Sequence, residues 1–142
     1  MPKVPLDKIR QFPHMMPGDI EIWEAFLKQY TYEFYDFRYD VHVGKGYVLT
    51  PDAPDWAKKH ARIVTQKRID VVARKGGLLY VIEVKPDAGL AAFGQAQAYR
   101  YLLQAEWTLD TLPHGAIITD FLDDDTRKVL ELHDITPYIV QM

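Results

Sequence analysis

The chain has 142 residues, 48% of them apolar and 26% charged, which suits one globular domain able to bury a sizeable core. It contains no cysteine, which excludes a disulfide framework, a thiolate metal site, an iron–sulfur cluster and a cysteine nucleophile, and suits a reducing, cytoplasmic setting. The net charge of −3 hides a lopsided distribution: residues 58–75 carry Lys58, Lys59, Arg62, Lys67, Arg68, Arg74 and Lys75 against the single acid Asp70, whereas residues 106–142 carry eight acids against Arg127 and Lys128.

Residues 1–18 hold prolines 2, 5, 13 and 17 and read as an extended arm preceding one domain over 19–142. No apolar block there is long enough for a signal peptide or a membrane span, so a soluble protein is expected. From Asp19, read as an N-cap, Ile20, Trp23, Leu27 and Tyr30 recur at helical spacing. Tyr35, Phe37, Tyr39, Val41 and Val43 then alternate with polar residues as a strand ending at Gly44 and Gly46. After one helical turn around Trp56–His60, a second strand is expected over Ile63–Ala73. Gly76-Gly77 supplies a hairpin turn, and Leu78–Lys85 reads as the third strand. Both of these strands are apolar runs interrupted by few polar residues, the pattern of a sheet covered by helices on both faces. Asp87 is the expected cap of a long alanine-rich helix through Leu103. A short strand at Gly115–Thr119, an acidic turn at Asp123–Asp125 and a last strand through Val129, Leu130 and Leu132 complete an α/β order of helix, three strands, helix, strand, strand.

Asp70, Glu83 and Lys85 are polar residues in segments that otherwise read as buried strand. Glu83 and Lys85 are two residues apart and share a face. Pairing symmetrically about Gly76-Gly77 sets Asp70 opposite Glu83, and directly opposed residues also share a face. Two carboxylates about 4 Å apart repel by roughly 4 kcal/mol at an effective dielectric near 20, which a divalent cation would relieve. Hard oxygen donors suit Mg²⁺ or Mn²⁺, with the Val84 backbone carbonyl and waters completing the shell. A phosphate oxygen fits the remaining position, with Lys85 orienting the attacking water or stabilising charge on phosphorus. An E-x-K triplet alone is commonplace and reads equally as an ion pair; the combination of acid, glycine hairpin, E-x-K strand and alanine-rich helix is far less common.

The stretches Arg68-Ile69-Asp70-Val71-Val72, Tyr80-Val81-Ile82-Glu83-Val84-Lys85 and Gly94-Gln95-Ala96-Gln97-Ala98-Tyr99 resemble the PD-(D/E)xK nuclease superfamily, and within it the RecB-type branch with a Q-x-x-x-Y helix. The resemblance spans residues 19–121, although Ile69 stands where the motif has proline. It implies a restriction-endonuclease-like core with a central mixed sheet flanked by helices. It also implies Asp70 and Glu83 as metal ligands, Lys85 as the catalytic cation, and Gln95 and Tyr99 as further site residues from one helix face. An acid from the first helix joins the site in many members; Glu24 is preferred to Glu21, which lies nearer the helix start, where an acid also serves the dipole.

The expected activity is Mg/Mn-dependent hydrolysis of DNA phosphodiesters, with RNA left open and the basic strip gripping the phosphate backbone. A non-catalytic nucleic-acid-binding or assembly module of the same fold is the alternative. No membrane partner is expected; a homodimer or a larger recombination, replication or packaging complex is, and so small a nuclease suits a phage or mobile element. The five histidines show no metal-ligand spacing and are left outside the site, and Gly44-x-Gly46 reads as a turn.

Overall fold

A computed structural model, describing residues 11, 12 and 14–142, builds the chain around one mixed sheet. Its elements are α1 (Pro17–Gln29), β1 (Tyr35–Val43), α2 (Asp55–Thr65), β2 (Lys67–Lys75), β3 (Leu78–Val84), α3 (Leu90–Glu106), β4 (His114–Thr119), α4 (Asp124–Leu132) and β5 (Ile135–Ile139). The five strands lie side by side in chain order. β1, β2 and β3 are antiparallel neighbours, and β3, β4 and β5 run parallel. The parallel pairs are joined by α3 and α4, as parallel crossovers require. With four helices around it among the described residues, the sheet forms a restriction-endonuclease-like α/β core.

The Val/Ile runs are buried on both faces, as their composition predicts. On one face α1 inserts Ile20, Ile22, Trp23 and Phe26 against Val71, Ala73, Ile82, Val84, Ala116 and Ile118. On the other, Ala92 and Ala96 of α3 and Leu130 of α4 cover Ile117 and Ile135, and Leu103 covers Val43, Ile69, Val72 and Val81. The alanines let α3 approach the strands closely, and each fully buried large apolar side chain contributes about 1.5–3 kcal/mol. Among the described residues no helix is long and apolar enough to cross a membrane.

Several elements differ from the sequence reading. α1 begins at Pro17, a favoured first helical residue, so that Met16 is the N-cap and Asp19 sits in the first turn, its Oδ2 accepting from the Met16 N–H at 3.0 Å. Of the predicted arm, residues 1–10 and 13 lie outside the described residues, while Phe12 and Met15 are buried in the α1 core. Ile63–Thr65 are helical, and β2 starts only at Lys67. The β-branched residues pointed to strand, but Trp56, His60, Ile63 and Val64 also recur at helical spacing. α3 starts at Leu90 behind Gly89, while Asp87, with φ 47°, occupies the preceding turn and donates its N–H to Asp120. Val129–Leu132 belong to α4 rather than to a strand. Asp123 caps that helix by accepting from the Thr126 N–H and hydroxyl, and Asp124 and Asp125 lie in its first turn, where acids favour the helix dipole. The last strand is Ile135–Ile139, and its Pro137 is tolerated because β5 is a sheet edge. The alternation along β1 does not define one face. Phe37 and Tyr39 pack toward α1, whereas Val41 and Val43 pack toward α3, and Asp40 between them has φ 55°. β2 turns over at the same level, with Ile69 toward α3 and Val71 toward α1. Asp70 stands at that crossover.

Candidate active site

The β2–β3 hairpin sets the site's register. Gly76 and Gly77 both have positive φ, 58° and 79°, which a two-residue turn of this hand needs and glycine adopts without strain. The pairs run from Lys75↔Leu78 to Val71↔Ile82 without a slip, so the next position along brings Asp70 level with Glu83. There the two carboxylates take over from the backbone ladder. The Val84 N–H donates to Asp70 Oδ2 at 2.9 Å, and the Asp70 N–H donates to Glu83 Oε2 at 3.3 Å. Each acid is thereby anchored on the other's strand.

Glu83 is 4% exposed. Burial pushes its carboxyl well above the ordinary carboxylate range, and the Asp70 carboxyl beside it, joined by a hydrogen bond, pushes the same way. Tyr99, half-buried on α3, faces this pair: its hydroxyl is shifted upward first by burial and then by the charges of Glu83 and Asp70. Gln95 lies one turn earlier and is exposed. Lys85 is exposed immediately beyond β3, and its N–H donates to the Ile118 carbonyl at 3.0 Å, which fixes its backbone against β4. The hairpin thus brings Asp70 and Glu83 together, Lys85 follows two residues beyond Glu83, and α3 adds Tyr99.

Two further residues join this group. The α1 acid whose charge reaches Glu83 is Asp19. Its carboxyl is raised mainly by burial and lowered by the Met16 N–H, while Asp70 raises it and Lys85 and His14 lower it. The start of α1 lies against the residue after Lys85, since a Cβ on Gly18 would sit in ordinary contact with Pro86 Cγ at 3.4 Å. Glu24 is half-buried five residues further on, about 7–8 Å along the helix axis. His14, left outside the site on sequence, has its side chain 3% exposed with Nε2 at 3.0 Å from the Asp70 carbonyl oxygen and 3.8 Å from Asp70 Oδ1. Its Nδ1 is buried with no hydrogen-bond partner.

The basic strip is dispersed. Arg74 and Lys75 lie at the hairpin end of β2, where Lys75 is about 16 Å along the strand from Asp70 at about 3.3 Å per residue. Arg74 pairs with Asp36, and Lys75 donates to Glu33 and, at 3.1 Å, to the Tyr138 hydroxyl. Arg68 is clamped by both oxygens of Asp40 at 2.6 Å. Lys58, Lys59 and Arg62 are carried by α2, where Arg62 pairs with Glu106 at 3.5 Å and Lys58 donates to the Pro51 carbonyl. Lys67 opens β2 and is exposed.

Among the described residues no three His, Asp or Glu side chains are arranged as a ready metal cluster. The donor chemistry nevertheless fits a hard cation: two adjoining carboxyls, one almost wholly buried.

No protein-family model matches the chain, and no curated protein matches it. Two solved structures are similar. A complex of EndoMS with double-stranded DNA is 17% identical, with a TM-score of 0.52 over 90% of this chain and 47% of that one. A protein of unknown function, AF1548, is 18% identical, with a TM-score of 0.48 over 84% of this chain and 56% of that one. The chain spans about half the length of these structures. At such identities the likeness is one of fold.

Proposed function

We propose that the chain is a metal-dependent nuclease that hydrolyses DNA phosphodiester bonds at Asp70, Glu83 and Lys85. The observation that carries this reading is the meeting of Asp70 with a buried Glu83 of raised pKa at the strand end where Lys85 emerges. Two acids kept together at the cost of desolvation and mutual repulsion are poorly explained by packing, and a divalent ion between them would relieve both. The similar fold of a structure bound to double-stranded DNA adds support.

In this reading Asp70, Glu83 and the Val84 carbonyl hold Mg²⁺ or Mn²⁺. When bound, the ion neutralises phosphate charge and acidifies water. Lys85, exposed and backbone-anchored, presents its ammonium to the attacking water or to a non-bridging phosphate oxygen, where charge develops. Tyr99 and Gln95 offer neutral donors to the phosphates from α3. Asp19 and His14 close the side of the site formed by α1 and the segment before it. His14 steadies the Asp70 backbone through its carbonyl. Lys58, Lys59 and Lys67, whose ammonium groups are not tied to a carboxylate as Arg62 and Arg68 are, hold the flanking backbone.

The test is cleavage of supercoiled and linear DNA with Mg²⁺ or Mn²⁺ against an EDTA control. The reading expects cutting with metal alone and its loss in Lys85→Ala. A Lys85→Ala protein that cuts as fast as the parent chain, or cutting in EDTA, rejects it.

A further inference from the structure

The chain's positive charge is concentrated in residues 44–68, where six cations stand against Asp52 and Asp55 for a net of +4. All other residues together carry −7 of the total of −3. This segment also holds α2, which buries none of its residues. It packs instead on its own leading loop. The Tyr47 N–H donates to Thr65 Oγ1 at 2.6 Å, and Gly46, with φ 66°, lies so close that a Cβ would meet the Arg62 carbonyl oxygen at 2.9 Å. Lys58 donates to the Pro51 carbonyl at 2.7 Å. Loop and helix are therefore tied before any ligand arrives.

Between them lies an open hollow of about 350 Å³ walled by Tyr47, Val48, Leu49 and Pro51 and rimmed by Lys45, Lys58 and Arg62. That volume is at the lower end of small-molecule sites, about 300–1,000 Å³. Tyr47 is 67% exposed and Trp56, at the start of α2, 73% exposed. Arg62 is paired with Glu106, whereas among the described residues Lys45, Lys58, Lys59 and Lys67 have no carboxylate partner. A flat aromatic wall beside unpaired ammonium groups matches the chemistry of one nucleotide, with its base on the ring and its phosphates on the lysines.

We infer that this hollow is a subsite for an unpaired nucleotide, so that the preferred substrate is a single strand or a duplex with a single-stranded portion. A base inside a duplex keeps its faces stacked and cannot lie on Tyr47. The hollow lies beyond the end of β1 and the start of β2, where Val43 pairs with Lys67. Lys67 is three strand residues from Asp70, about 10 Å at about 3.3 Å per residue. The inference rests on the nuclease reading by deepening its substrate class, yet it is tested by binding alone.

The experiment measures fluorescence anisotropy of a labelled single-stranded DNA and of its blunt duplex with the full chain in EDTA. The single strand is expected to bind about tenfold more tightly, the effect of one stacked base. Tyr47→Ala should abolish that preference while duplex binding stays unchanged, and Tyr47→Phe should retain it. Lys58→Gln should weaken both ligands and lower the salt slope by about one. Equal binding of both DNAs by the parent chain, or unchanged single-strand binding by Tyr47→Ala, overturns the subsite. So does sedimentation showing a parent dimer that Tyr47→Ala dissociates, because the occupant would then be a second copy. Cleavage with Tyr47→Ala binding like the parent rejects the subsite and keeps the nuclease; a Tyr47-dependent single-strand preference in a chain that cuts nothing does the reverse.

Discussion

Glu83→Gln should stabilise the metal-free protein at neutral pH. Unfolded, Glu83 titrates near 4.5, whereas in the fold burial and the neighbouring Asp70 raise its pKa well above that value. The folded state therefore binds the proton more tightly than the unfolded state. The contribution is fully present below 4.5 and is lost as pH rises toward the folded pKa, the reverse of an ion-paired carboxylate. At about 1.4 kcal/mol per pH unit over the roughly 2.5 units to neutrality, the loss at pH 7 reaches about 3 kcal/mol as an upper bound. Glutamine keeps the shape without the charge and should recover most of it, raising Tm by up to roughly 9 °C for a chain of this size. The assay is thermal unfolding by circular dichroism in EDTA at acidic and neutral pH, then with Mn²⁺. Relative to Glu83→Gln, the parent chain should lose stability as pH rises, and it should regain about 2–3 kcal/mol at a Mn²⁺ concentration a hundredfold above Kd, which Glu83→Gln should not. A variant less stable than the parent in neutral EDTA, with the same pH slope, refutes the reasoning.

Three further outcomes follow from other contacts. Tyr99→Phe removes a hydroxyl that faces Glu83 and Asp70, and should slow cleavage about tenfold or more while the melting temperature holds. Arg100, 5% exposed, donates to the Pro113 and His133 carbonyls and pairs with Asp134, joining α3 to the ends of β4 and β5. Arg100→Met should cost about 3 kcal/mol in urea unfolding. The Lys75 ammonium holds the Glu33 carboxyl below its ordinary range. Its contribution is present above 4.5 and is lost as pH falls. Because the pair is partly exposed, Glu33→Gln should cost under about 1 kcal/mol at neutral pH and nothing in acid, as read by the same unfolding curves.

The hairpin was legible because a Gly-Gly turn fixes register arithmetically, so the opposition of Asp70 and Glu83 followed from sequence spacing alone. Tyr99 was legible only through the resemblance, whose Q-x-x-x-Y helix it matches four residues after Gln95. Asp19 was hidden by its other property: an acid before an apolar run reads as a cap, and only the packing of Gly18 on Pro86 brings it beside Lys85. The available signal was its place one turn ahead of Trp23, on the buried side of α1. His14 left no local signal, because its position is set by the burial of Phe12 and Met15. How the basic strip spreads over the fold was not legible, because nearness along the chain does not fix nearness in space. β2 extends Lys75 away from Asp70, and four of the seven cations are spent on Glu106, Asp40, Asp36 and Glu33.

Calorimetric titration of Mn²⁺ into the full chain and into Asp70→Asn asks whether the two hairpin acids grip one ion. Saturable one-site heat in the parent, absent from an Asp70→Asn protein of unchanged circular dichroism, is the predicted result. No heat in the parent, or the same heat in both proteins, would contradict a metal centre at Asp70 and Glu83.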